Sequence, residues 1–161
     1  LSRIESGRAE MKKRPVATND LLQSAVARMK TQADRASVAL KVLPGISQST
    51  VLIDGDQMER VLINLIHNAI KHTPPGGEVV LSAEAFGTET VIKIQDTGEG
   101  ISPEDLPRIF ERFYKTDHAR SSGGTGLGLS IAKHIVEAHN GRIWVESVKG
   151  SGATFFIAIP S

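Results

Sequence analysis

The sequence contains no cysteine, few aromatic residues and almost no net charge. Without cysteine, the chain can form neither a disulfide nor a thiolate metal site. Aromatic residues make up 4% of its 161 residues, so aliphatic side chains must fill most of the core. The formal net charge of +1 argues against nucleic acid or a membrane surface as the main partner. No apolar run approaches the roughly 20 residues that a membrane-spanning helix needs.

The pattern of apolar residues predicts an α+β domain. Helical spacing predicts three helices, which begin at Asn19 or Asp20, at Asp54 or Asp56, and near Gly126. Alternating apolar and polar residues predict strands over residues 38–43, 50–53, 78–86, 90–96, 142–148 and 153–159. Together these elements predict a two-layer α/β sandwich, with a mixed, mostly antiparallel sheet of about five strands packed on three helices.

The first residues are predicted to lie outside this domain. The segment from Leu1 to Gly7 has the character of a helix end, and Pro15 blocks any helical continuation. We therefore expect one domain over residues 19–161, preceded by a helix end and linker over residues 1–18. We also expect the chain to be part of a longer protein.

Three polar residues share one face of the second predicted helix. Asn64, Asn68 and Lys71 are spaced i, i+4 and i+7, opposite the apolar stripe. Mg²⁺ prefers oxygen ligands and keeps several waters, so an amide oxygen combined with phosphate oxygens suits it. A lysine adds a positive charge for phosphate. The pattern is typical of a magnesium–polyphosphate site, although an ordinary solvated helix face has the same spacing.

Asp96 ends an apolar strand and is followed by two glycines. It shares strand parity with Ile92 and Ile94, so its carboxylate is predicted to point toward the core. A carboxylate there needs a hydrogen-bond donor, and the exocyclic amine of adenine can supply one. Gly98 and Gly100 would let the backbone approach the adenine ring. The alternative is an ordinary turn at the end of a strand.

A glycine-rich segment, Gly123 to Leu129, immediately precedes the third predicted helix. Backbone N–H groups at a helix N-terminus form an anion site, so this segment suits phosphate. It is not a P-loop, because no Gly-Lys-Ser/Thr follows, and no strand precedes it as in a dinucleotide fingerprint. Simple backbone flexibility is the alternative interpretation.

The five histidines do not show metal-ligand spacing. None is positioned as a phosphoacceptor. His72 follows Lys71 and would border the nucleotide, whereas His67, which precedes Asn68, is predicted to flank the site. The others are His118, His134 and His139.

The order of these motifs resembles the catalytic, ATP-binding domain of bacterial sensor histidine kinases, in the GHKL superfamily. The resemblance runs from about Asn19 to Pro160 and comprises five segments in the family's order. They are the N box (64–71), the first glycine box (96–100), the F box (110–114), the second glycine box (124–129) and a third glycine box (150–154).

The resemblance implies a role for each matching residue. Asn68 would be the magnesium ligand, Asn64 and Lys115 the catalytic residues, and Asp96 the adenine acceptor. Residues 111–125 would form a lid over the nucleotide. The nucleotide-binding residues implied in this way are Asn64, Asn68, Lys71, His72, Asp96, Gly98, Gly100, Ile101, Tyr114, Lys115, Gly124, Thr125, Gly126, Leu127, Gly128, Leu129 and Thr154.

The chain departs from the family pattern at two positions and lacks one segment that the family has. Lys115 stands where many relatives have arginine, so a phosphate contact there would be less geometrically restrained. His72 stands where many relatives have tyrosine or phenylalanine. No segment resembles the helical His-Glu motif that carries the phosphoacceptor histidine, so we expect that histidine in a domain preceding Leu1.

The resemblance therefore implies a protein-histidine kinase domain that uses ATP and Mg²⁺. Its γ-phosphoryl group would pass to a histidine on the protein's own dimerisation domain and then to an aspartate of a response regulator. We expect this chain to be monomeric and cytoplasmic. The full-length protein is expected to be a homodimer, and the sequence does not decide whether it has an inner-membrane anchor. The alternatives are a regulatory module that binds ATP without transfer, a serine-directed anti-sigma kinase, and an ATPase of the gyrase type. An ATPase of this type usually has an acidic base where Asn64 stands, so Asn64 disfavours hydrolysis.

Overall fold

The computed structural model describes residues 11–43, 49–114 and 128–160, which form seven strands and three α-helices. The first elements are β1 (Arg14–Ala17), α1 (Thr18–Arg35), β2 (Ala39–Val42), β3 (Thr50–Ile53) and α2 (Gly55–Lys71). The remaining elements are β4 (Glu78–Phe86), β5 (Glu89–Asp96), a 3₁₀ turn (Leu106–Arg108), α3 (Gly128–Ala138), β6 (Arg142–Ser147) and β7 (Ala153–Pro160).

Five of the strands form one mixed sheet, in the order β2-β4-β5-β7-β6. β2 pairs with β4 in parallel, and the other pairings in this sheet are antiparallel. β1 and β3 form a separate antiparallel ribbon. The predicted α+β sandwich is confirmed. Among the residues that the structure describes, no helix has both the length and the apolar character needed to cross a membrane.

Alternation along β5 and β7 turns one face of the sheet toward the helices. Ile92 and Ile94 of β5 pair in register with Ile157 and Phe155 of β7, and none of the four is more than 1% exposed. Asp96 continues the inward row of β5 and is itself buried. The predicted inward direction of this carboxylate is therefore confirmed.

α2 carries the first polar motif and is anchored by a continuous apolar stripe. It begins after Asp54, whose Oδ1 accepts a hydrogen bond from the N–H of Gln57 at 3.2 Å. Of the two caps predicted for this helix, Asp54 is therefore the one used. The buried stripe consists of Met58, Val61, Leu62, Leu65, Ile66, Ala69 and Ile70.

The start of α1 differs from the prediction. We predicted Asn19 or Asp20 as its cap, but the cap residue is Ala17, which makes no side-chain hydrogen bond. Instead, the N–H of Thr18 donates to the carbonyl oxygen of Ser49 at 3.1 Å. Part of the predicted linker is also ordered, because β1 pairs with β3 directly before the helix. Tertiary contacts therefore set the start of α1, in place of a capping side chain.

A buried histidine joins the end of α3 to the start of α2. His139 is 3% exposed, and the backbone N–H of Asp54 donates to its Nε2 at 3.1 Å. Because Nε2 accepts, the ring hydrogen is on Nδ1, which donates to the carbonyl oxygen of Ile135 at 2.8 Å. Both ring nitrogens are thus used, and His139 fixes the two helices relative to each other.

Replacing His139 with alanine should lower the free energy of unfolding by roughly 2 kcal/mol. The reason is that the N–H of Asp54 would lose its acceptor inside the protein. Chemical denaturation followed through the single tryptophan, Trp144, measures the effect. Glu137→Ala, at an exposed position of α3, is the control and should change stability by less than about 0.5 kcal/mol. Equal stabilities of the two variants would contradict the assigned role.

Candidate functional site

The polar face of α2 is partly exposed and lies over a buried apolar stripe. Asn64, Asn68 and Lys71 are all half-buried, whereas Leu65 and Ile66 on the other side of the helix are 0% exposed. The predicted sharing of one helix face is therefore confirmed. A face of this kind is accessible to a ligand and is held in place by the packing beneath it.

Asn64 connects α2 to the first residue of α3. Its Nδ2 donates to the carbonyl oxygen of Gly128 at 3.2 Å. Leu129, the next residue of α3, is half-buried and packs against the core. The structure thus brings the first polar motif together with the described part of the second glycine box. The other predicted residues of that region, Lys115, Gly124, Thr125, Gly126 and Leu127, lie outside the described residues.

Asp96 is a buried carboxylate held by two backbone donors. It is 5% exposed, and its Oδ1 accepts from the N–H of Gly98 at 2.8 Å and from that of Ala153 at 3.2 Å. Ala153 is the first residue of β7, which pairs with β5. Because both donors use Oδ1, the other carboxylate oxygen, Oδ2, is not engaged by them.

Burial raises the pKa of the Asp96 carboxyl above its ordinary range. The two backbone hydrogen bonds from Gly98 and Ala153 lower this pKa, as does the nearby His72, whereas Glu99 raises it further. Burial is the largest of these effects. Because a buried carboxylate needs donors, a ligand that offers one would stabilise its ionised form.

The glycines after Asp96 are required by close backbone contacts. A Cβ atom at Gly98 would lie 2.3 Å from the carbonyl oxygen of His72, the residue after α2. Gly100 has a φ of +74°, and a Cβ atom there would lie 2.3 Å from the carbonyl oxygen of Val148. Both distances are far below van der Waals contact, so any other residue would displace the loop.

His72 lies at the C-terminal end of α2 and contacts Glu99. Its Nδ1 lies 3.0 Å from Oε2 of Glu99, and its carbonyl oxygen accepts from the N–H of Glu99 at 3.2 Å. The structure therefore places His72 at the junction between α2 and the loop after β5. We did not identify Glu99 from the sequence, because the only signal is a charged residue between two glycines and its partner is distant in the chain.

The described F-box residues pack around the 3₁₀ turn. The Tyr114 hydroxyl donates to Asp105, and the Arg108 guanidinium lies 4.5 Å from the centre of the tyrosine ring. Phe110 packs edge-on against Phe155 of the core, with ring centres 6.0 Å apart. A role for Tyr114 in nucleotide binding stays a prediction.

Two further predicted positions lie on elements next to Asp96. The N–H of Ile101 donates to the hydroxyl of Ser147, at the end of β6, at 2.8 Å. Thr154 pairs in register with Gln95, so its side chain is on the opposite face of the sheet from Asp96. The structure therefore does not bring the Thr154 side chain to the Asp96 carboxylate.

Comparison with known proteins identifies the family of this chain. A family model described as histidine kinase-, DNA gyrase B-, and HSP90-like ATPase matches residues 53–161. The chain belongs to this family. It is also 50% identical over 109 residues to the sensor protein SrrB of Staphylococcus aureus, a match that covers 66% of this chain and 19% of that protein. The chain thus spans about a fifth of the length of such relatives.

Solved histidine kinases share the fold. Full-length ShkA in complex with AMPPNP matches 99% of this chain and 33% of its own, with a TM-score of 0.89 and 30% identity. The catalytic domain of ThkA matches 93% of this chain and 96% of its own, with a TM-score of 0.82 and 28% identity. ThkA in complex with the response regulator TrrA matches 99% of this chain and 45% of its own, with a TM-score of 0.80 and 25% identity. The family and fold predicted from the sequence are confirmed, and the chain is a catalytic domain of the sensor histidine kinase type.

Replacing Asp96 with asparagine should raise the melting temperature of the ligand-free domain at neutral pH. The amide oxygen can still accept from Gly98 and Ala153, while the cost of burying a charge disappears. Because the folded-state pKa is raised, ionised Asp96 opposes folding above that pKa, and this cost is lost as pH falls through it. The difference in melting temperature between Asp96→Asn and the parent should therefore become smaller as the pH is lowered.

Scanning calorimetry at a series of pH values measures this effect. Asp34→Asn, at a carboxylate that is 65% exposed, is the control and should show little difference from the parent at any of these pH values. If Asp96→Asn were less stable than the parent at neutral pH, burial would not dominate at this carboxylate.

Proposed function

We propose that this chain binds Mg-ATP and transfers its γ-phosphoryl group to a histidine on a separate helical domain of the same protein. The observation that carries the proposal is the position of Asp96, a buried carboxylate beside the polar end of α2. The loop after this acceptor is bonded to the end of the helix that carries the amide and ammonium groups, and the two together match the two ends of a nucleotide, an amine-bearing base and a polyphosphate. The AMPPNP complex of ShkA, which has the same fold, supports the nucleotide assignment.

Asp96 is the proposed adenine acceptor. Its Oδ1 is engaged by Gly98 and Ala153, which fixes the plane and position of the carboxylate. The exocyclic amine of adenine can then donate to Oδ2. Because Gly98 has no side chain, its backbone can lie close to the end of α2 while its N–H donates to Oδ1.

Asn68 is the proposed magnesium ligand, and the donor set fits this ion. Among the residues that the structure describes, no cluster of three or more histidine, cysteine or acidic side chains could hold a metal by itself. An amide oxygen together with phosphate oxygens and water suits Mg²⁺, which rarely relies on an all-protein cage. When bound, Mg²⁺ would neutralise phosphate charge. Lys71, one helical turn further along α2, would bind phosphate as a point charge.

The proposed reaction forms a bond from a histidine nitrogen to the γ-phosphorus while the bond from phosphorus to the ADP oxygen breaks. The domain contributes positioning and charge, since phosphoryl transfer needs little covalent chemistry from the protein. Asn64 and Lys115 are the proposed catalytic residues; the hydrogen bond from Asn64 to Gly128 supports a position where α2 and α3 meet. His139 is buried with both ring nitrogens in use, so this histidine is not accessible as the acceptor.

The proposed partners are the protein's own dimerisation domain and a response regulator. The complex of ThkA with the response regulator TrrA supports the second of these. Phe113 of the F box is 63% exposed with a φ of +64°, and this supports contact with another domain, because an exposed aromatic in a strained backbone is costly without one. We further propose that the full-length protein is a homodimer with this domain in the cytoplasm, and an inner-membrane anchor fits a sensor protein.

A phosphotransfer assay tests the proposed function. With γ-labelled Mg-ATP and a helical histidine domain taken from a sensor histidine kinase, the label should appear on that domain as acid-labile phosphohistidine. Asp96→Asn is the control and should reduce transfer through an ATP affinity lowered by about tenfold or more, because its amide can place a donor against the adenine amine. Phosphate release without labelling would indicate an ATPase, and binding without either would indicate a regulatory module; both outcomes contradict the proposal.

Replacing Asn68 with alanine should remove the magnesium dependence of nucleotide binding. Calorimetry with AMPPNP in Mg²⁺ and in EDTA should give nearly equal affinities for this variant, while the parent should bind about tenfold more tightly with Mg²⁺. His67→Ala, at the adjacent exposed position of α2, is the matched control and should keep the parent's dependence. A magnesium effect of parental size in Asn68→Ala would refute the metal assignment.

A further inference from the structure

His72 and Glu99 are joined by two bonds, one between side chains and one between backbones. The side-chain contact from Nδ1 to Oε2 is 3.0 Å long, and the side chains are 20% and 34% exposed. A carboxylate only accepts hydrogen bonds, so Nδ1 is the donor. The backbone N–H of Glu99 in turn donates to the carbonyl oxygen of His72 at 3.2 Å. We call this pair of residues the His72–Glu99 clasp.

The clasp connects two segments that are far apart in the sequence. His72 follows directly after α2, and its own N–H donates to the carbonyl oxygen of Asn68 at 3.2 Å. Glu99 belongs to the short loop after β5, and its carbonyl oxygen accepts from the N–H of Gly150 at 2.6 Å. The clasp therefore lies between the end of a helix and a loop that is bonded on its other side to the turn between β6 and β7.

The two segments carry opposite ends of the proposed nucleotide site. Lys71, the proposed phosphate contact, is the residue before His72, while Asp96, the proposed adenine acceptor, is three positions before Glu99. Both clasp residues also act on the Asp96 carboxylate from within electrostatic range. The imidazole of His72 lowers the pKa of Asp96 against the larger rise caused by burial, whereas the carboxylate of Glu99 adds to that rise.

From these contacts we infer that Glu99 is a positioning residue for nucleotide binding, which holds the phosphate end of α2 at a fixed distance from the adenine acceptor. The inference rests on the proposed function. A ligand that contacts both ends binds more tightly when their separation is fixed, because the entropy cost of ordering the two segments is then met during folding and not during binding. Glu99 itself need not touch the nucleotide for this effect.

Glu99→Ala should weaken AMPPNP binding in calorimetry by about fivefold, close to the upper range of a partly exposed ion pair. Glu99→Gln should stay within about twofold of the parent, because its amide oxygen can still accept from Nδ1 of His72. The matched control is Glu89→Ala, which removes a 2.9 Å pair with Arg142 at the other end of β5, from a side chain that is 35% exposed. It should leave the affinity within about twofold, with a melting temperature similar to that of Glu99→Ala.

Repeating the measurement in a second variant distinguishes a positioning role of Glu99 from a general loss of structure. If the clasp acts by holding Lys71 in place, Glu99→Ala should cause almost no further loss of affinity in a Lys71→Ala protein. An equal loss in both backgrounds, or an effect no larger than that of Glu89→Ala, would overturn the inference. A parent protein that does not bind AMPPNP would overturn the proposed function, on which the inference depends.

Discussion

Two backbone N–H groups, from Gly98 and Ala153, hold the Asp96 carboxylate through the same oxygen at the end of β5. Most features of the site follow from this arrangement. The carboxylate is buried by the core of the sheet and has to be satisfied there, so the chain turns back at once to bring Gly98 within reach. The second donor comes from a neighbouring strand, so the position of the carboxylate depends on the pairing of β5 with β7.

α2 is held at both of its ends and along its length by contacts with other segments. At its start, Asp54 is held by His139 of the segment after α3, and further along Asn64 reaches the first residue of α3. At its end, His72 is attached to the loop that follows β5. The polar residues of α2 thus lie between fixed points on a buried apolar stripe. A ligand at this face would meet groups whose positions are set before it arrives.

The sequence was sufficient to predict features that depend on local periodicity. The helical stripe of α2 and the inward direction of Asp96 could both be predicted, because helix and strand periods fix which side chains share a face. The cap of α2 could be narrowed to Asp54 or Asp56, and the structure shows Asp54. The start of α1 could not be predicted, because no side chain caps it: the helix follows directly after β1, which pairs with β3, and the N–H of Thr18 donates to Ser49.

The pairs that tie the site together were not predictable, since they depend on which segments the fold brings together. His72 and Glu99 are 27 positions apart, and Asp54 and His139 are 85 apart, without any local pattern that relates them. Thr154 was assigned by its motif alone, and only the register of β7 against β5 shows which face of the sheet it occupies. Residues such as Lys115 fall outside the described residues, so their roles stay predictions.

The bond from Ala153 to Asp96 also has a consequence for the order in which the protein becomes functional. Asp96 and the polar face of α2 leave the ribosome well before β7, and one of the two donors to the carboxylate is the first residue of that strand. A nascent chain that has not yet made β7 has the residues of the site without its geometry. If the proposed function is correct, the nucleotide site can therefore take its final geometry only after this late strand has been synthesised and has joined the sheet.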